Sequence, residues 1–107
     1  MAKNNFQVSV GSTTTETQLF GGATDGTAKA IEVEVDSTST NRARVRVVFT
    51  GSNAATQAYG AGVAGDYAEI AVGSSKTFIA PGRSAIIAVY AVSNSGTAVV
   101  NTRLLGA

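Results

Sequence analysis

The sequence predicts an all-β fold, a single antiparallel β-sandwich of about eight short strands. Its 107 residues include 13 Val and 13 Thr against only 3 Leu and 1 Met, and β-branched residues favour strands over helices. Short stretches that alternate apolar and polar residues are separated by turns rich in Gly, Ser and Asn, and no stretch has helical periodicity. We expect jelly-roll-like connectivity, with an immunoglobulin-like sandwich as the alternative, and one domain over residues 1–107.

The strands are placed by this alternation and by the turns between them. Phe6–Val10 alternates apolar and polar side chains, which is typical of a half-buried strand. The segment Gly51–Asp66 consists mainly of small residues without periodicity, and we expect it to be a long loop or a projecting arm. The other predicted strands are Thr15–Phe20, Ala30–Asp36, Arg42–Phe49, Tyr67–Val72, Lys76–Ala80, Ala85–Ser93 and Thr97–Leu105.

The third and fourth predicted strands alternate apolar residues with charged ones, carboxylates in the third and arginines in the fourth. A hairpin around residues 37–41 would bring the two charged rows together, and each directly opposed pair would stabilise the sheet by about 0.2 to 1 kcal/mol. The sequence therefore predicts a hairpin with a solvent-facing ladder of three pairs: Glu32 with Arg46, Glu34 with Arg44 and Asp36 with Arg42.

The apolar faces of the strands are expected to form one core, because alternate residues of a sandwich strand point between the two sheets. The predicted members are Phe6, Val8, Ile31, Val33, Val45, Val47, Phe49, Ile70, Val89 and Val100.

The composition excludes several kinds of chemistry. The chain has no His and no Cys, which excludes a histidine general base, a thiolate nucleophile, a Cys/His zinc site and a disulfide framework. A net charge of +1 argues against nucleic-acid binding. The longest apolar run, Ala85–Val92, is too short to cross a membrane, and the polar N-terminal residues do not form a secretory signal. We expect a soluble protein without nucleic-acid or membrane partners.

Three features suggest binding or catalysis, and a structural interpretation is favoured for each. Gly60–Gly65 matches the GxGxxG nucleotide-binding pattern, but no strand is predicted before it and no helix after it. The carboxylates of the third strand could hold calcium or act as a glycosidase pair, but the arginine row favours a solvated ladder. Asp25 and Asp66 adjoin glycines, as turn residues do. No catalytic, cofactor-binding or metal-ligating residue is predicted.

The last two predicted strands are more hydrophobic than is usual in a sandwich. Residues 85–92 are apolar on both faces, whereas one face of such a strand is normally polar. Either the loop Gly51–Asp66 covers the outer face, or a second subunit or a partner does. The predicted interface residues are Ile86, Ile87, Val89, Tyr90, Val99, Leu104 and Leu105, with Tyr59 from the loop.

Four features of the chain occur together: its size, its lack of Cys and His, its short strands rich in Gly, Ala, Thr and Val, and the Ala80-Pro81-Gly82 turn before an apolar strand. In these features the chain resembles the small bacteriophage virion proteins that decorate or cement a capsid. The resemblance implies a non-enzymatic homo-oligomer, with a trimer favoured, that binds the major capsid protein and stabilises the shell. It also implies a location on the capsid surface after synthesis in the host cytoplasm.

Two other functions stay open at this point. In a carbohydrate-binding or adhesion module, Tyr59, Tyr67 and loop carboxylates would contact a sugar. A small phage tail or neck component would differ from a decoration protein in its partner. The positions of the two tyrosines separate the first from assembly: side by side and facing solvent they favour a sugar platform, and buried against a neighbouring chain they favour an assembly.

Overall fold

The computed structural model describes residues 5–52, 54–56, 59 and 67–106. All eight predicted strands are present in this part of the chain, and their ends lie within two residues of the prediction. A four-residue helical turn, α1 (Gly22–Asp25), follows the second strand. The strands are β1 (Asn5–Val10), β2 (Thr17–Gly21), β3 (Ala30–Val35), β4 (Ala43–Phe49), β5 (Ala68–Ile70), β6 (Ser75–Ile79), β7 (Ile86–Ser93) and β8 (Ala98–Gly106).

The strands form two four-stranded antiparallel sheets, with the orders β1-β8-β3-β6 and β2-β7-β4-β5. The pairs β1–β8, β2–β7, β3–β6 and β4–β5 are nested within one another along the chain. This is the arrangement of one long hairpin that has been rolled into a sandwich, which is the connectivity of a jelly roll. The predicted all-β sandwich is therefore confirmed, and the strand order agrees with the jelly-roll form.

The core lies between the two sheets. Inward-facing residues alternate along β3, where Ile31, Val33 and Val35 are fully buried. Six of the ten predicted core residues are buried: Ile31, Val33, Val45, Ile70, Val89 and Val100. The other four are partly buried and pack against this core: Phe6, Val8, Val47 and Phe49. Two of these four belong to β1, an edge strand of its sheet, where the side chains lie at the rim of the core.

The predicted hairpin between β3 and β4 is wrong, because the two strands lie in different sheets. The chain crosses between the sheets in residues 36–42, so the carboxylate row and the arginine row lie on opposite sides of the sandwich. Each row has other partners. The nitrogen–oxygen distances are 2.9 Å for Arg103 with Glu32, 3.3 Å and 3.4 Å for Arg42 and Arg44 with Glu69, and 2.7 Å for Arg46 with Glu16.

The end of β2 is tightly fitted against β7. Gly21 has a φ angle of +135°, and a Cβ atom added there would lie 2.9 Å from the carbonyl oxygen of Ile87. Its backbone N–H donates a hydrogen bond of 3.0 Å to Oδ2 of the buried Asp25. Glycine is therefore required at this position both by the backbone conformation and by the close approach of β7.

Candidate functional site

The structure divides the predicted interface residues into two groups. Ile86 and Val89 are fully buried in the core between the sheets, and Tyr90 is only 3% exposed. These three side chains contact other residues of the chain and present almost no surface to a partner. The residues that keep exposed surface are Ile87, Val99, Leu104 and Tyr59, which are half-buried, and Leu105, which is 50% exposed.

The outer side of the β2-β7-β4-β5 sheet, here called the covered face, has its own apolar cluster of Val48, Ala88 and Tyr90. Ala54 packs against this cluster, and the Tyr90 hydroxyl donates a hydrogen bond to the Ala54 carbonyl. The backbone N–H of Tyr59 donates to the carbonyl of Thr14 at 2.8 Å. The second apolar face of β7 is therefore covered by the chain's own segment after β4, one of the two alternatives that the sequence left open.

A buried ion pair lies under this covering segment. Arg46 donates two hydrogen bonds of 2.7 Å, from Nε and Nη2, to the two carboxylate oxygens of Glu16. The side chains of the two residues are 6% and 0% exposed. Nη2 also donates to the carbonyl of Ala55 at 3.2 Å, and the guanidinium lies 4.8 Å from the centroid of the Tyr90 ring. The Tyr67 hydroxyl donates to Glu16 as well. Arg46 on β4 thus contacts Tyr90 on β7, Glu16 just before β2, and Ala55 of the covering segment.

The electrostatics of this cluster favour a structural role. Hydrogen bonding to Glu16 raises the pKa of the Arg46 guanidinium. Burial, followed by the hydrogen bond to the Glu16 carboxylate, raises the pKa of the Tyr67 phenol to about 12. Both donors therefore keep their protons throughout the physiological range, and the carboxylate that could act as a base is enclosed by them. The cluster holds the covering segment on the sheet.

Tyr59 and Tyr67 lie side by side on the covered face. Their ring centroids are 4.9 Å apart and the ring planes make an angle of 80°, so the edge of one ring meets the face of the other. The Arg44 guanidinium carbon lies 5.0 Å from the centroid of the Tyr59 ring. Both tyrosines are half-buried by their own chain. The pair has the proximity expected of a sugar platform, but its rings are not coplanar and face solvent only in part.

The outer side of the β1-β8-β3-β6 sheet, here called the open face, is polar at its centre. Asn101 Nδ2 donates to Glu34 at 3.0 Å and to Asp36 at 2.9 Å, while Gln7 donates to Asn101 Oδ1 at 2.8 Å. Hydrogen bonds from Thr38 and then Asn101 lower the pKa of the Asp36 carboxyl. The face has a depression of about 320 Å³ whose lining includes Glu32, Glu34, Asn101 and Arg103.

One end of the open face is apolar and exposed. Ile79 on β6 is 66% exposed and Leu105 on β8 is 50% exposed. Both residues flank the first residue of β3, since Ile79 pairs with Ala30 and Leu105 immediately precedes Gly106, which also pairs with Ala30. The sequence prediction included Leu105 but missed Ile79, because the alternation in β6 is too short to show which face its last residue occupies.

The other sites considered from the sequence are a nucleotide-binding loop and a metal site on carboxylates. The GxGxxG segment Gly60–Gly65 and Asp66 lie outside the described residues. Within the described part of the chain, no group of three or more acidic side chains is gathered as a metal site would require. Glu32, Glu34 and Asp36 share one side of the sandwich, but hydrogen bonds tie them to Arg103, Asn101 and Thr38. None of the described residues forms a helix long and apolar enough to span a bilayer.

Comparisons with known proteins add no identity to this geometry. The function is therefore inferred from the fold, the buried ion pair and the open face. The chain matches no protein-family model, no curated protein and no solved structure.

Proposed function

We propose that this chain is a non-enzymatic structural protein, a homo-oligomeric decoration or cement subunit that binds the major capsid protein of a phage and stabilises its shell. The observation that carries the proposal is the apolar end of the open face, where Ile79 and Leu105 are exposed. Removing such side chains from water on association is favourable, at about 25 cal/mol per Å² of apolar surface. Exposed apolar patches on a folded chain are typical of interaction surfaces.

The rest of the molecule supports a function in binding rather than in catalysis. The buried Glu16–Arg46 pair fixes a loop segment, and the other ion pairs between described residues lie on the two outer faces of the sandwich. The proposed subunit interface consists of Leu105 and Val99, which the sequence prediction included, together with Ile79.

The test measures the oligomeric state of the full chain by native mass spectrometry and sedimentation velocity. We expect a closed oligomer, with a trimer favoured, and an obligate interface would bury roughly 2,000 Å² or more in total. Leu105→Asp and Ile79→Asp place a charge in the proposed interface. Both variants are expected to sediment as monomers with an unchanged far-ultraviolet circular dichroism spectrum, and the wild type is expected to co-sediment with capsid shells.

Thr13→Asp is the matched control, because Thr13 is exposed in the β1–β2 connection, beyond the end of β1 that pairs with Ala98, whereas Leu105 lies at the other end of β8. It adds the same charge and is expected to leave the oligomer intact. A wild type that stays monomeric at high concentration and does not bind shells would contradict the proposed function.

A carbohydrate-binding module is the second candidate, and the Tyr59–Tyr67 pair is the observation that favours it. A sugar could stack on the exposed part of Tyr59 and bond to the neighbouring Arg42 and Glu69 side chains, which are 52% and 46% exposed. A glycan array tests this directly. Binding that is lost in Tyr59→Ala and kept in Leu105→Asp would favour the module over the assembly.

A further inference from the structure

The four edge strands of the sandwich differ in how well they are protected against pairing with a further strand. The edges are β1 and β6 in one sheet and β2 and β5 in the other. Proteins protect edges with bulges, short strands and charged side chains, including charges on the inward side. β2 has an irregular register between Gln18 and Phe20, and β5 has three residues, one of them Glu69. On β6 the exposed Lys76 pairs with the buried Val33, which places the lysine on the inward side.

β1 has none of these protections. Its six residues, Asn5–Val10, include no charged residue and no proline, and its register with β8 is unbroken. Among the described strands, β8 is its only partner. Val8 pairs with the buried Val100 and packs against the core, so the apolar side of β1 faces inward at the rim of the sandwich. β1 is therefore the edge best suited to receive another strand.

The backbone of β1 has hydrogen-bonding groups directed outward from the edge of the sheet. In an antiparallel sheet, the N–H and C=O of one residue point to the same neighbouring strand, and successive residues alternate between the two sides. The Asp36 N–H donates to the carbonyl of Val99 at 2.9 Å, so Val99 and every second residue of β8 bond toward β3. The residues between them bond toward Val8 and its alternates on β1. The N–H and C=O groups of Gln7 and Ser9 therefore point away from β8, at the edge.

β1 is complementary to an antiparallel copy of itself. When Val8 lies opposite Val8 of a second copy, Gln7 lies opposite Ser9 and Phe6 opposite Val10. Apolar residues then meet apolar ones on the inward side, and the backbone groups of Gln7 and Ser9 form a hydrogen-bonded pair. A shift of one residue would exchange the two faces, and a shift of two would leave one apolar residue opposite a polar one.

We propose that β1 of one copy of this chain pairs antiparallel with β1 of a second copy across a two-fold axis, which joins their sheets into one continuous sheet. The contact is isologous, since the same strand of both copies forms it. It is small, because it involves one edge strand of each copy, whereas stable interfaces bury about 1,200–2,000 Å² in total. This contact alone therefore does not hold copies together in dilute solution, and it forms where copies are kept close together. Its role between neighbouring subunits on a shell rests on the proposed function, but the pairing itself does not.

Disulfide formation in the full chain tests this register. The chain has no Cys, so one introduced thiol reports on one position. Two residues opposite each other in a non-hydrogen-bonded antiparallel pair have Cα atoms about 4.5 Å apart, within the range that a disulfide spans. Val8→Cys is therefore expected to form a disulfide-linked dimer at high protein concentration under mild oxidation, followed over time by non-reducing gel electrophoresis.

Ser9→Cys is the matched control, because Ser9 is exposed whereas Val8 is half-buried. In the proposed register the two Ser9 residues are offset by about 7 Å along the strands, in addition to the strand separation of about 4.8 Å. A disulfide does not span this distance. Ser9→Cys is therefore expected to cross-link at least about tenfold more slowly than Val8→Cys, although its thiol is more accessible.

Ser9→Pro tests the backbone hydrogen bonds. It removes an N–H that the pairing with β8 does not use, and proline is tolerated at such a position of an edge strand. Added to Val8→Cys, it is expected to slow cross-linking to the rate of the Ser9→Cys control, with an unchanged far-ultraviolet circular dichroism spectrum. Ser9→Ala keeps the N–H and is expected to leave the rate of Val8→Cys unchanged.

The proposed contact is overturned if Val8→Cys stays monomeric under oxidation, if Ser9→Cys cross-links as fast, or if Ser9→Pro has no effect on the rate. Should Val8→Cys stay monomeric while the wild type still forms the oligomer that Leu105→Asp disrupts, only this contact is rejected. Specific cross-linking of Val8→Cys in a chain that neither oligomerises through Leu105 nor binds shells supports the contact and overturns the proposed function.

Discussion

Arg42, Arg44 and Arg46 occupy alternate positions of one strand, yet their side chains are 52%, 26% and 6% exposed. The difference arises because the covering segment lies over the Arg46 end of β4 and leaves the Arg42 end open. Surface ion pairs contribute little to stability, whereas breaking a buried pair leaves a charge without solvent or partner. The three arginines are therefore expected to contribute very different amounts to the free energy of unfolding.

Replacing Arg46 with alanine is expected to lower the free energy of unfolding by about 3–5 kcal/mol, because the Glu16 carboxylate would stay buried without its partner. Arg42→Ala is the control, and its loss is expected to be below about 1 kcal/mol. Urea denaturation of both variants measures the difference. Equal losses in the two variants would show that the Glu16–Arg46 pair is solvated in solution.

The Tyr67 phenol makes stability depend on pH in the alkaline range. Its pKa is raised to about 12 in the folded chain, whereas an unfolded tyrosine releases its proton at about pH 10. Between these values the folded state binds more protons, so the free energy of unfolding falls as the pH rises from about 10 to about 12; below about 10 the contribution is present in full. Tyr67→Phe is expected to reduce this decline, and Tyr59→Phe, which leaves Tyr67 in place, to keep it. Urea denaturation across this pH range would contradict the prediction if wild type and Tyr67→Phe declined equally.

At the scale of the elements, the sequence predicts where strands lie better than which strands pair. Alternation correctly places Ile31, Val33 and Val35 inward, because a period of two fixes the face of each residue. Alternation does not show which strand lies beside which in the sheet. Because strands that are adjacent in sequence usually pair, the sequence predicts a β3–β4 hairpin. In the jelly roll the partner of Glu32 is Arg103, 71 residues away, so matched charges in consecutive strands gave the wrong pairing.

The junction of β2 with β7 is expected to be sensitive to a single methyl group. In Gly21→Ala the new Cβ would lie 2.9 Å from the Ile87 carbonyl oxygen and 3.1 Å from the Ala88 Cα, at a φ of +135°. A loss of about 1–3 kcal/mol in the free energy of unfolding is expected from strain of this kind. Gly73→Ala is the control, since Gly73 has a φ of +79° but open space around it, and its loss is expected to be about 1 kcal/mol. Thermal melts that rank the two variants the other way would contradict the close approach.

For the whole molecule, the sequence correctly indicated that β7 needs a cover on both faces. The sequence did not show which residues cover the outer face, because an apolar surface indicates that it is buried but not what buries it. The chain itself supplies it through Ala54 and the neighbouring segment, so the surface available for assembly moves to the other sheet. Ile79 belongs to that surface, and only the register of β6 beside β3 shows that it faces outward.

The nested strand pairing also sets an order for folding during synthesis. Among the described strands, β8 is the only partner of β1, and it also lies between β1 and β3 in the centre of its sheet. When Asn5 pairs with Arg103, the loop that closes contains almost the whole chain, whereas the loop between β4 and β5 is much shorter. On the ribosome, β4 and β5 can pair early, but β1 waits until β8 has emerged. A nascent chain that stalls before β8 therefore exposes an unpaired first strand with Phe6 and Val8 uncovered, which is the kind of intermediate that chaperones bind.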